Sequence, residues 1–92
     1  MEMYQLRAYV TVASLGSVTR TAEALHVTQP AITAQIKALE EELGVALFDR
    51  RPGRISLTRA GEELLPQAQQ VLEAAAQLQG RAKDLQGQVT GQ

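Results

Sequence analysis

From Leu64 onward the apolar residues of this chain keep a fixed beat. Leu64, Ala68, Val71, Ala75, Leu78, Ala82, Leu85 and Val89 follow one another at alternating steps of four and three. That is an unbroken heptad stripe, and a helix places all of these residues along one side. Alternate seam positions hold Ala, Ala, Ala and Val, and the others hold Leu, Val, Leu and Leu. Small residues at every other position let two helices approach closely. A helix from Thr58 to about Val89 would be roughly 45 Å long, more than a compact domain of this size can cover. Leu64 and Ala68 can pack on the chain's own domain. From Val71 onward the stripe would face water unless a second helix covers it, and an exposed stripe of this length is rare in a soluble monomer. The expectation is a homodimer through this helix, with Leu64, Ala68, Val71, Ala75, Leu78, Ala82 and Leu85 along the seam. Close Ala packing suits an antiparallel pair, although the spacing admits either orientation. Pro66 cannot donate to the Glu62 carbonyl, which predicts a mild kink.

The residues before the stripe read as a small helical head. Met3, Leu6, Tyr9, Val10 and Ala13 recur at helical spacing, and Gly16 offers a stop, which predicts helix 1 from about 3 to 15. Ser17 can cap a short second helix with Val18, Ala22 and Leu25 as its apolar stripe. His26-Val27-Thr28 is a three-residue break. Thr28 can cap a third helix, and Pro30 sits in its first turn, where a missing N–H costs nothing. Ile32, Ile36, Leu39 and Leu43 share one face, and Gly44 ends the helix. Two helices joined by a three-residue turn match a helix-turn-helix unit, a pattern that many helical hairpins share.

The period then changes. Ala46–Arg50 and Arg54–Thr58 read as short strands around Pro52-Gly53, whose chemistry suits a tight turn. A basic hairpin after a helix-turn-helix is a wing. The fold class is therefore mainly α: a winged helix-turn-helix of three helices plus a two-stranded β wing over residues 1–58, then a long dimerisation linker helix over 59–92.

Charge supports a nucleic-acid partner locally, though not in sum. The net charge of the 92 residues is −1. Residues 1–59 hold seven Lys/Arg against six Asp/Glu, while residues 60–92 hold two against four. Within 50–59 stand Arg50, Arg51, Arg54 and Arg59 with no acid. DNA binding needs a local basic surface, and such a cluster can equally be a solvated face. With only Tyr4, Tyr9 and Phe48 aromatic, the chain lacks a single-strand stacking platform, so double-stranded DNA is the expected partner.

With the apolar face of the third helix turned to the core, its other face carries Gln29, Pro30, Thr33, Ala34 and Lys37 at the end that helix-turn-helix proteins present to the major groove. The Gln29 amide can pair with an adenine edge. Thr33 can bond a base or phosphate, Pro30 and Ala31 offer small apolar surface, and Lys37 reaches phosphate, which positions rather than specifies. Ser17, Thr19 and Thr28 lie at helix starts, where backbone N–H groups attract phosphate, although capping alone explains Ser17 and Thr28. In the wing, Arg54 is the candidate for the minor groove or its edge, with Arg51 beside it. Arg50 either joins them or pairs with a nearby acid and holds the wing.

Other classes fit less well. There is no cysteine, so a disulfide framework and a Cys-based zinc site are excluded. No apolar run is long enough to span a membrane and nothing reads as a signal peptide, so a soluble cytoplasmic protein is the default. No catalytic set can be assembled: His26 is the only histidine and stands in a turn. Glu40, Glu41 and Glu42 diverge by about 100° each on a helix and read as a solvated end rather than a metal site. No cofactor is expected. A protein-interaction module explains the heptad equally well, but neither the arginine wing nor the uncharged polar start of the third helix.

These residues resemble the opening of a LysR-type transcriptional regulator. The resemblance runs through Leu6-Arg7-Ala8-Tyr9-Val10, Gly16-Ser17-Val18-Thr19, Ala22-Glu23-Ala24-Leu25, Thr28-Gln29-Pro30-Ala31-Ile32-Thr33, Leu39-Glu40, Leu43-Gly44, Leu47-Phe48-Asp49-Arg50 and Leu57-Thr58-Arg59-Ala60-Gly61, in order and spacing. It covers essentially the whole chain. It implies a winged helix-turn-helix head that reads interrupted palindromes, a linker helix that dimerises antiparallel, and a tetramer in the full-length protein. It also implies a C-terminal effector-binding domain of periplasmic-binding-protein fold that takes a small-molecule inducer. That domain would begin near Gly87 to Gly91, so the chain reads as a truncated piece of a longer protein. The family's base-contacting positions fall on Gln29, Pro30, Thr33 and Ala34. Thr33 stands where Ser is frequent. Ala34 stands where many members carry Arg, which removes a strong contact, and Gly53 stands where many carry a basic residue, a role Arg54 can take over.

Overall fold

The computed structural model describes residues 1–51 and 53–90, with side chains described through residue 87. The elements are α1 (Met3–Leu15), α2 (Val18–Leu25), α3 (Gln29–Leu43), β1 (Phe48–Arg51), β2 (Arg54–Leu57) and α4 (Arg59–Thr90). The molecule measures 59 × 25 × 19 Å, because α4 projects from the head as an arm.

The helix boundaries follow the caps. Ser17 Oγ accepts from the Arg20 N–H at 3.0 Å, and Thr28 Oγ1 accepts from the Ala31 N–H at 3.2 Å. Each satisfies one orphan donor of its helix. α3 ends at Gly44, whose φ of +76° is a left-handed cap that a side chain would disfavour. His26 takes the same conformation at the end of α2 with φ +59°, and the turn closes with the Val27 N–H donating to the Ala22 carbonyl at 3.0 Å. α4 runs through Pro66 without a break.

The core lies between α1, α2, α3 and the root of α4. Leu6, Ala8, Tyr9 and Val12 enter it from α1, Ala22 from α2, Ile32, Ile36 and Leu39 from α3, then Leu47, Phe48 and Ala68. Two expectations are corrected. The buried face of α1 is shifted from the one expected: Leu6 and Tyr9 are buried as expected and Ala8 and Val12 join them, Val10 and Ala13 are only partly buried against the core, and Met3 is exposed. Leu43 is 39% exposed, because the last turn of α3 runs past the core. Thr21, polar yet fully buried, donates its hydroxyl to the Ser17 carbonyl at 2.8 Å. Such a bond inside its own helix removes the cost of burying the group.

The root of α4 is locked to the head. Thr58 Oγ1 accepts from the Gly61 N–H at 3.0 Å and donates to the Ala46 carbonyl at 2.6 Å. The Tyr9 hydroxyl donates to the Gly61 carbonyl. Desolvation pushes the Tyr9 phenol up to about 12, and its ring meets Phe48 edge-on at 5.8 Å. A Cβ on Gly61 would lie far inside contact distance of the Leu47 carbonyl oxygen, so only glycine lets helix and wing root come this close.

The wing is a two-stranded antiparallel sheet with Phe48 opposite Leu57, Asp49 opposite Ser56, Arg50 opposite Ile55 and Arg51 opposite Arg54. It starts two residues later than Ala46 and stops at Leu57. The reason is that the Ala46 carbonyl and the Leu47 N–H bond to Thr58 and Glu40 instead of a strand. Gly53 turns the hairpin with φ +73°, and Pro52 lies outside the described residues.

Candidate nucleic-acid interface

Burial of Ile32, Ile36 and Leu39 decides which side of α3 remains open. Gln29, Pro30, Ala34 and Lys37 are exposed, and Ala31 and Thr33 are half-buried beside them. These six positions occupy the first turns of the helix and share one open side. Its character is amide, hydroxyl and small apolar groups with one cation at its far end. Such a surface can follow the edge pattern of a base pair without excess charge.

The capping hydroxyls of Ser17 and Thr28 spend acceptor capacity on Arg20 and Ala31. Their protons remain to be donated, so capping and phosphate contact are compatible. Thr19 is exposed in the first turn of α2. The fold brings this corner against the hairpin: Gly16, Ser17, Val18 and Thr19 share one open cleft with Gly53, Arg54 and Ile55. Residues some 35 positions apart in sequence, 19 and 54, thus border a single concavity. A phosphate beside Ser17 and Thr19 would also lie near Arg54.

Strand alternation sorts the wing arginines. Asp49, Arg51, Arg54 and Ser56 line one side of the hairpin. Arg51 pairs with Asp49 at 3.5 Å, so the acid goes to Arg51 and not to Arg50, which faces the other way opposite Ile55. The Arg51 side chain is 80% exposed, and an ion pair that wet contributes little. Arg59 pairs with Glu63 at 3.3 Å on the α4 surface and leaves the wing set. Among the described residues no acid pairs with Arg50, Arg54 or Lys37. Arg51 and Arg54 stand directly across the ladder, where like charges repel. An anion between or beside them would turn that repulsion into attraction.

The stripe of α4 divides. Ala68 is buried in the head and Leu64 packs against the same core, so both are engaged within the chain. Val71 is 38%, Leu78 71% and Leu85 56% exposed. Ala75 is half-buried and Ala82 exposed on the same side, while the side chain of Val89 lies outside the described residues. Where the stripe leaves the head it borders an apolar trough between Met1, Leu43, Leu64 and Val71.

Sequence reasoning missed Glu40. Read as part of a solvated acidic end, it is half-buried, and its Oε2 accepts from the N–H groups of Leu47 at 2.7 Å and Phe48 at 3.2 Å. The available signal was a carboxylate near a helix C-terminus, where the helix dipole disfavours it. Glu42 meets the terminal ammonium of Met1 at 3.0 Å. Among the described residues no group of three His, Cys, Asp or Glu is placed to hold a metal.

Three capped helices, a basic hairpin and a projecting fourth helix define a winged helix-turn-helix domain with a linker helix. Residues 3–62 match the family model described as the bacterial regulatory helix-turn-helix protein, lysR family, and the chain belongs to that family. It is 41% identical over 91 residues to an HTH-type transcriptional regulator of the ibpB-leuC intergenic region of Azotobacter vinelandii, covering 99% of this chain and 63% of the relative. It is 42% identical over 83 residues to the HTH-type transcriptional regulator TcbR of Pseudomonas sp. (strain P51), covering 90% of this chain and 28% of the relative. The chain thus spans less than two thirds of these curated relatives. Among solved structures, the CbnR DNA-binding domain in complex with DNA superposes with a TM-score of 0.86 at 41% identity, over 92% of this chain and 98% of that one. The matched residues form the DNA-binding helix-turn-helix domain of this family, and the relatives they resemble are transcriptional regulators, not enzymes. No helix among the described residues is long and apolar enough to cross a membrane.

Proposed function

We propose that this chain reads double-stranded DNA sequence-specifically as a homodimer. The N-terminal half of the recognition helix, within residues 28–43, enters the major groove, and the wing, residues 50–54, lies at the minor groove or backbone. The observation that carries this reading is the cleft in which Thr19, Arg54 and the cap of α2 converge. Gln29, Pro30, Ala31, Thr33 and Ala34 meet bases. Ser17, Thr19, Thr28 and Lys37 meet phosphates, and Arg50, Arg51 and Arg54 hold the backbone or the minor-groove edge. Complex formation between DNA and the similar CbnR domain supports this.

The dimer forms along α4. Residues 1–58 act as the reading head and 59–92 as the linker, whose first turns also close the head's core. Val71, Ala75, Leu78, Ala82 and Leu85 carry the seam, while Leu64 and Ala68, which begin the same stripe, pack on the head instead. The operator is an interrupted palindrome, because two heads related by a two-fold axis present the same face twice. In the full-length protein a further domain binds a small-molecule inducer and completes a tetramer, and the site of action is the cytoplasm. Selection of bound sequences from a random duplex pool at two salt concentrations tests the reading. The expected result is an enriched inverted repeat. Binding without enrichment, lost at high salt, removes the base-reading role, and no binding at either salt removes DNA as the partner.

A further inference from the structure

Between the end of α3 at Leu43 and the start of β1 at Phe48 the chain has no regular structure, yet its backbone is tied at Ala46 and Leu47, and at the adjoining Phe48, to the two elements beside it. From α3, Glu40 takes the N–H groups of Leu47 and Phe48. From the root of α4, the Thr58 hydroxyl donates to the Ala46 carbonyl at 2.6 Å, and the Thr58 N–H donates to the Leu47 carbonyl at 2.9 Å. Leu47 is 0% and Phe48 6% exposed, so neither amide has ready access to water. Removing Glu40 would leave both without their acceptor.

An isolated two-stranded hairpin is marginally stable, so the wing's angle depends on what its root is tied to. Beside the packing of Leu47 and Phe48 in the core, the hydrogen-bonded tie from the recognition helix among the described residues is the Glu40 carboxylate. Arg51 lies three residues beyond Phe48, a lever of roughly 10 Å at strand rise. A root rotation of about 20° would carry the wing arginines by roughly 3 Å, the length of a hydrogen bond. We propose that Glu40 is a positioning residue for DNA binding: it ties the wing to the recognition helix, so that Arg51, Arg54 and the Gln29–Lys37 face meet one duplex together. The proposal rests on the DNA reading above.

The test is the salt dependence of binding to a random-sequence duplex, measured for the wild-type chain, Arg54→Ala, Glu40→Ala, Glu40→Gln and the double variant Glu40→Ala/Arg54→Ala. Glu40→Ala is expected to weaken binding about tenfold and lower the salt slope by about one, the loss of one phosphate contact. Glu40→Gln, whose amide oxygen still accepts, keeps the slope near the wild type. In the Arg54→Ala background Glu40→Ala changes the slope less than it does in the wild type, because one of the contacts it positions is already gone. A folded Glu40→Ala protein with wild-type slope and affinity overturns the proposal, and so does a loss that adds in full to that of Arg54→Ala. Should Glu40→Ala not fold, amide exchange in the wild-type chain decides: the Leu47 and Phe48 amides are expected to be protected, and free exchange at both overturns the tie. A wild-type chain that binds no duplex brings down the DNA reading and this proposal with it. An Arg54-dependent slope that is indifferent to Glu40 brings down the Glu40 role alone.

Discussion

The two halves of α4 carry one repeat and meet two fates. Near the head Ala68 is 6% exposed and Leu64 packs on the core, while further out Leu78 is 71% and Leu85 56% exposed. Nothing in the spacing changes between them. Reach decides the difference: the three-helix head covers the first turns of α4 and then ends, whereas the helix continues to Thr90. A heptad therefore tells which residues share a face, and only the length of the neighbouring elements tells whether that face is covered from within or by a second chain.

Leu78→Glu strikes the outer half. It should cost about 3–5 kcal/mol of dimer stability, since a carboxylate would be buried unpaired at the seam. Sedimentation should show a monomer with an intact head that no longer prefers paired half-sites. A variant that sediments as a dimer would move the seam elsewhere. Gly61→Ala strikes the inner half. The new Cβ has no room against the Leu47 carbonyl, and the head should lose about 3 kcal/mol in denaturant unfolding. An unchanged midpoint would mean that the joint between α4 and the wing root has slack. Gln29→Ala leaves both halves alone. It should lower binding to the preferred site by about 1–3 kcal/mol while random duplex is bound as before, and equal losses on both would refute base reading. The smallest effect sharpens the contrast through pH. Burial holds the Tyr9 proton up to about 12 against an ordinary 10.0, so the unfolded chain releases it first. This group leaves stability unchanged below about pH 10 and erodes it as pH rises from there towards 12. Tyr9→Phe should cost about 1 kcal/mol at neutral pH through the lost bond to Gly61 and flatten that alkaline fall. An alkaline profile identical to the wild type would show that another group governs it.

Helix ends were legible because they are local. Ser17, Thr28, Gly16 and Gly44 fix their caps with groups a few residues away. The open face of α3 was legible too, since three buried residues at helical spacing leave one side exposed. What escaped the sequence depends on contacts across the chain. The shift of α1, with Ala8 inward and Met3 outward, goes with its packing against α2, α3 and α4 at once. The late start of β1 is set by Thr58 and Glu40, more than five residues distant on either side. The partner of Asp49 could have been found, because strand alternation places residues 49 and 51 on one side and 50 on the other. The convergence of Thr19 with Arg54 had no local signal at all.

The locked joint of Gly61, Tyr9 and Leu47 makes the arm a clockwork part. Because α4 cannot swivel at its root, every residue added beyond Ala68 would turn the outer half by about 100° and advance it about 1.5 Å. One inserted residue would carry Leu78 and Leu85 off the seam, and seven would nearly restore them. In the proposed dimer, with the two helices antiparallel, a heptad added to each copy moves both heads about 10 Å from the two-fold axis, so their separation changes in steps of about 20 Å or roughly six base pairs. Lineages that lengthened or shortened this arm would have had to change the gap in their operators in matching jumps.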